Sequence, residues 1–253
     1  MKQKIALITG ATAGIGLETA KILSENHFNL ILTGRRQERL KKIRLELEND
    51  HCRVYTLCFD VRVKQEVDQA LASLPEEWKQ VDVLINNAGL AAGLDPVNQA
   101  DTYDWETMID TNIKGLLYMT REVSNWMIAR QQGHILNISS IAGVQAYPSG
   151  SVYCGTKHAV NAISKALRIE LAPYNIKVGT ISPGAIETEF SLVRFKGDQE
   201  QADKVYEGFT PLSARDIAES IYFVLSRPAH VNIDDLLIMP TAQASARDIF
   251  RKS

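Results

Sequence analysis

Seven short, β-rich apolar runs recur along the chain with longer helical patterns between them, and this alternation limits the possible folds more than any other feature. The runs are "KIALIT", "NLILTG", "RVYTLCF", "VDVLINN", "GHILNIS", "IKVGTIS" and "DDLLIMP". Strands that alternate with helices are joined by right-handed crossovers, which put helices over both faces of the sheet and bury the strands on both sides. The expected fold is therefore α/β: a single doubly wound Rossmann domain with a seven-stranded, mostly parallel sheet and helices on both faces. No composition break, repeat or low-complexity linker divides residues 1–253, so they read as one domain. The longest segment without a clear strand runs from Ala185 to about Thr210, where a doubly wound sheet would carry a substrate-binding lid.

Charge and cysteine usage exclude several partners. A formal net charge of -2 argues against nucleic acid or an anionic membrane surface as a partner, and the basic stretch "GRRQERLKKIR" reads mostly as a solvated helix face. Cys52, Cys58 and Cys154 are an odd number without metal-ligand spacing, which points to a reduced, cytoplasmic setting and no metal. His158 could share a helical face with Cys154, but two ligands make no metal site. The N-terminal "IALI" is too short for a signal segment, and no run approaches a membrane span. A serine hydrolase is set aside because "NISSIAG" is not a nucleophile elbow and no histidine has a triad context.

Directly after the first strand comes "TGATAGIG", Thr9 to Gly16, opening a helix. Gly10, Gly14 and Gly16 permit a tight turn and close backbone approach, and the helix N-terminus offers free N–H groups to a pyrophosphate. An NAD site would carry an acid at the end of the second strand, about 20 residues further on. Here the chain reads "LTGRR", with Arg35 and Arg36 and no acid before Glu38. Guanidinium groups pair with phosphate, so NADP(H) is the expected cofactor. Asp60 in "FDVR" and Asn87, Ala88 and Gly89 in "NNAG" fall at other strand ends, where they would meet adenine and line the nucleotide.

Tyr153 precedes Lys157 by four residues, which places both on one helical face. Bringing a free phenol to neutral pH takes about 4 kcal/mol, and one cation at about 4 Å in an effective dielectric near 20 supplies about that amount. Tyr153 could then take a hydroxyl proton with Lys157 stabilising the phenolate. Ser139 and Ser140 end the fifth apolar run, and strand alternation points them opposite ways. Asn112 lies on the apolar stripe of "DWETMIDTNIKGLL", where an amide costs free energy unless something bonds it.

Taken in order, TGxxxGIG, NNAG, the helical Asn112, Ser140, Tyr153 with Lys157, and Pro183-Gly184 with Thr188 resemble a short-chain dehydrogenase/reductase over nearly the whole chain. The resemblance implies that Thr12, Ile15, Pro183, Gly184, Ile186 and Thr188 join the glycines around the cofactor. It selects Ser140 over Ser139 to hold the reacting oxygen, and gives Lys157 the nicotinamide ribose and Asn112 a relay water. It also implies a homotetramer, paired through the helices of Asn112 and Tyr153. More narrowly, "EFSLVRFKGD" and "RPAHVNIDDLLIMPTAQ" are similar to NADP-dependent 3-hydroxy acid dehydrogenases, which oxidise serine, allo-threonine and related acids. Arg194 and Lys196 are then candidates for the substrate carboxylate, and Gln145 and Tyr147 for the pocket wall. Alternatives stand: a 3-oxoacyl thioester reductase, whose usual glycine-rich turn "IMPTAQAS" lacks, or another carbonyl reductase, and more remotely a catalytically silent NADP-sensing module, which could lose the tyrosine or lysine kept here.

Overall fold

All seven apolar runs are strands of one sheet in the computed structural model, which describes residues 3–252. They are β1 (Ile5–Ile8), β2 (Asn29–Gly34), β3 (Val54–Cys58), β4 (Val83–Asn86), β5 (Gly133–Ile138), β6 (Ile176–Pro183) and, last in the chain, β9 (Asp235–Ile238). Every pairing is parallel, in the order β3-β2-β1-β4-β5-β6-β9, so the sheet expected to be mostly parallel is wholly so. The two-residue strands β7 (Ile186–Glu187) and β8 (Leu212–Ser213) form a separate parallel ribbon.

The two-residue period of the strands divides the core. Ala6 and Ile8 share one face with Leu30 and Leu32, and are covered by α1 (Gly14–Glu25), α2 (Gln37–Leu47) and α9 (Ala214–Leu225) through Leu23, Leu40 and Ile221. Ile5 and Leu7 share the other with Ile31, and are covered by α3 (Lys64–Ala72), α5 (Leu116–Arg130) and α6 (Ser151–Leu171) through Leu71, Met119 and Leu171. Strand order runs outward from β1 to β3 and then resumes on the other side at β4. That reversal opens a crevice at the carboxyl ends of β1 and β4, where a doubly wound sheet binds its ligand.

Two departures from the expected elements shape the site. A helical run through α4 (Thr102–Ile109) and α5 is interrupted by a π-helical turn, Asp110–Gly115, which contains Asn112. Such a turn inserts one extra residue into the helical repeat. The segment expected to form a lid is not a bare loop: beyond β7 it carries α7 (Glu189–Arg194) and α8 (Gln199–Lys204), capped by Thr188 and Asp198. Lys196 ties it to Asp104 of α4 at 3.0 Å, and Gly93 N donates to Arg194 O at 3.0 Å. Among the described residues no helix is long and apolar enough to cross a membrane, and Cys52, Cys58 and Cys154 are free.

Candidate active site

A cleft of about 520 Å³ opens at the switch point between β1 and β4. Its floor is the glycine loop between β1 and α1. Gly10 and Gly14 have φ of +67° and +53°, the left-handed region that favours glycine. Gly16 is demanded by packing instead, since a Cβ there would lie 2.5 Å from both Asn87 Nδ2 and Gly10 O. No side chain caps the N-terminus of α1, whose N-cap is Ala13, so its first N–H groups face the cleft ready for an anion. These features fit a dinucleotide pyrophosphate.

Asn87, expected along the nucleotide, fastens the loop to β4. Its Nδ2 donates to Thr9 O at 2.8 Å and Gly10 O at 3.1 Å, and Thr9 Oγ1 accepts from the N–H groups of Asn87 and Ala88 at 3.0 and 2.9 Å. Ala88 and Gly89 line the cleft with Ile15, Pro183, Gly184, Ile186 and Thr188. Arg36 closes one end, donating from Nε and Nη2 to Thr12 Oγ1 at 3.0 and 2.7 Å. Arg35 lies 3.7 Å from Asp60, whose carboxylate also takes a two-pronged bond from Arg62 at 2.9 and 2.6 Å. Burial would raise the Asp60 acid, but the Arg62 bonds outweigh it and hold the carboxyl below the usual range.

At the other end of the cleft stand Ser140, Tyr153 and Lys157. Ser140 follows β5 and caps a short 3₁₀ turn, its Oγ accepting from Ala142 N at 3.1 Å, and it lines the cleft together with Tyr153. Ser139, as alternation requires, turns inward and donates to Lys157 O at 3.3 Å. Tyr153 and Lys157 start α6 and are both buried. Lys157 Nζ donates to Ile138 O at 2.8 Å and lies 5.9 Å from the Tyr153 ring centroid. Measured to the centroid, one charge at an effective dielectric near 20 supplies about 3 kcal/mol, while burial and the neighbouring Tyr147 push the phenol up, with the Ser140 hydroxyl and Arg194 countering them. Burial also pulls the Lys157 ammonium down to about 8.

Asn112 is satisfied by protein. Its Oδ1 accepts from Leu90 N at 2.9 Å, and its Nδ2 donates to Leu90 O at 2.9 Å and Thr156 Oγ1 at 3.0 Å, so the π turn locks α6 to the loop after β4. Its Oδ1 and Lys157 Nζ still converge, both within 3.4 Å of where a Cβ on Gly89 would sit.

Tyr147 and Arg194 meet beside the phenol. The Arg194 guanidinium lies 5.8 Å from the Tyr153 ring centroid, and its Nη2 donates to Tyr147 Oη at 3.3 Å. The other two substrate candidates are engaged elsewhere. Lys196 is held by Asp104, and Gln145 Oε1 accepts from Ala246 N at 2.8 Å, steadying the C-terminal segment. Sequence reasoning missed Phe190, which packs on the Tyr153 ring at 5.7 Å, and the pair Arg39 and Glu189. Only Arg39 carried a signal, lying three residues after Arg36 on one helical face.

A model of the short chain dehydrogenase family matches residues 4–198. NADP-dependent 3-hydroxy acid dehydrogenase YdfG of Salmonella typhi is 49% identical over 243 residues, 96% of this chain and 97% of that protein. Serine 3-dehydrogenase of Agrobacterium fabrum is 42% identical over 248 residues, 98% of each chain. Among solved structures, the closed form of serine dehydrogenase complexed with NADP+ superimposes with a TM-score of 0.91 at 45% identity, covering 98% of this chain and 100% of that one. Glycine loop, cleft and relatives agree: the chain belongs to the short chain dehydrogenase family.

Proposed function

We propose that this protein oxidises a small 3-hydroxy acid of the serine, allo-threonine or 3-hydroxyisobutyrate kind, and reduces the matching 3-oxo acid, with NADP(H). The observation that carries the substrate class is Arg194. Its guanidinium stands beside the Tyr153 phenol and has no ion-pair partner among the described residues, so it is available to a carboxylate close to the reacting carbon. The NADP-dependent relatives support the cofactor.

Bound NADP(H) supplies the hydride acceptor or donor. Tyr153 takes the hydroxyl proton during oxidation and returns it during reduction. Ser140 donates to or accepts from the same oxygen and holds it near the phenol. Two cations favour the phenolate, Lys157 and Arg194, each near 6 Å from the ring centroid. Lys157 also orients the nicotinamide ribose, and the second lone pair of Asn112 Oδ1, which converges with Lys157 Nζ beside Gly89, accepts from a water that passes the proton outward. A pocket wall of Phe190 and Tyr147 excludes bulk water from the phenol.

A cytoplasmic homotetramer belongs to the same reading. Exposed Ile109 and Leu117 at the π-turn helix and Ile169 on α6 support pairing through those helices.

The test is NADPH absorbance in two assays of the purified protein: NADP with the three hydroxy acids, and NADPH with an acetoacetyl thioester. The proposal expects turnover of the free acids. Turnover of the thioester alone would move the protein to the acyl reductases, and no turnover with nucleotide still bound would favour the silent sensing module.

A further inference from the structure

Glu189, the first residue of α7, reaches from the lid back to Arg36 and Arg39 at the start of α2. Its Oε2 accepts from Arg36 Nη1 and its Oε1 from Arg39 Nη1, both at 2.8 Å. Each oxygen takes one guanidinium, as two oxygens of a phosphate would. Because Arg36 also donates to Thr12, one carboxylate joins the lid, α2 and the pyrophosphate loop. The bonds from Arg36 and Arg39 hold the Glu189 acid below the usual carboxylate range, so it is an anion at neutral pH. The three side chains are 42%, 49% and 45% exposed for Arg36, Arg39 and Glu189. Ion pairs that open to water are screened and individually weak, so a stronger anion can displace one partner.

We propose that Glu189 is a resident anion in the 2′-phosphate subsite: it keeps Arg36 and Arg39 assembled, and it must yield them when a 2′-phosphorylated nucleotide binds. Glu189 is thus a specificity-determining residue that weakens binding of the phosphate it prepares for, and Arg39 is a second guanidinium for that phosphate. The inference rests on the NADP reading above. It does not concern the reacting end of the cofactor.

Calorimetric titration of 2′,5′-ADP and 5′-AMP into the wild type and Glu189→Gln separates the two claims. The NADP reading expects the wild type to prefer 2′,5′-ADP. Loss of two weak ion pairs and of one competing charge should tighten 2′,5′-ADP binding to Glu189→Gln by about three- to tenfold. Binding of 5′-AMP should be unchanged, which also shows that the variant is folded. Unchanged or weaker 2′,5′-ADP binding to the variant, with the wild-type preference intact, would overturn the role of Glu189 alone. Absence of any preference in the wild type would overturn the NADP reading and this inference with it.

Discussion

Replacing Arg194 by alanine should separate recognition of the acid from the chemistry. The guanidinium stands near 6 Å from the centroids of both Tyr147 and Tyr153, and its nearest protein acceptors are the Tyr147 hydroxyl at 3.3 Å and Gly93 O at 3.4 Å. Both are long bonds to neutral groups, so a substrate carboxylate displaces little when it binds. A hydrogen bond between charged groups is worth about 1.5–3 kcal/mol, or roughly 10- to 150-fold in kcat/KM at about 1.4 kcal/mol per decade. The half-buried position of Arg194 favours the lower part of that range. A second, smaller loss should be common to all substrates, because Arg194 also helps to favour the Tyr153 phenolate. The assay compares NADP-dependent oxidation of 3-hydroxyisobutyrate with that of its methyl ester. The acid should lose at least about tenfold more than the ester. Equal losses, or an acid unaffected by the substitution, would refute Arg194 as the carboxylate ligand.

Two further outcomes follow from the geometry. Gly16→Ala would place a Cβ 2.5 Å from a backbone carbonyl, so the loop must shift; overpacking of this kind costs about 1–3 kcal/mol, and thermal melting should show a lower Tm together with weaker nucleotide binding. His134 is buried at the opposite end of the sheet, and burial together with Lys177 and Lys4 pulls its imidazole down to about 3. Unfolded, it takes a proton near 6.5, so its contribution is fully present above that pH and is lost as pH falls toward 3. Urea unfolding at pH 7 and pH 5 should show the wild type losing about 2 kcal/mol more than His134→Phe over that interval. Parallel losses in the two proteins would show that His134 does not carry it.

The central strands were legible because they are buried on both faces and therefore read as unbroken apolar runs, while the edge strands β3 and β9, more open to water, kept enough apolar residues to be read the same way. Gly10 and Gly14 were legible because left-handed backbone narrows the choice of residue, and Tyr153 with Lys157 because four residues span one helical turn. Asn112 was visible as a polar intruder on an apolar stripe. What satisfies it was not, since no residue type encodes the π turn that aims it at Leu90 and Thr156. Contacts distant in sequence were equally hidden. Gln145 meets Ala246 across 101 residues and Glu189 meets Arg36 across 153, and no local period records either encounter. The ion pair of Lys196 was hidden for the same reason, its partner Asp104 lying far upstream on α4.

The role of Tyr153 is tested most directly by Tyr153→Phe, read by NADPH absorbance with a saturating 3-hydroxy acid alongside calorimetric NADP binding. The substitution removes one hydroxyl from a buried ring and leaves its packing on Phe190 in place. NADP affinity should stay within about twofold of wild type while turnover falls by at least about a hundredfold, the lower bound for a proton-transfer group. A variant that binds NADP and oxidises the acid at the wild-type rate would contradict the proposed chemistry.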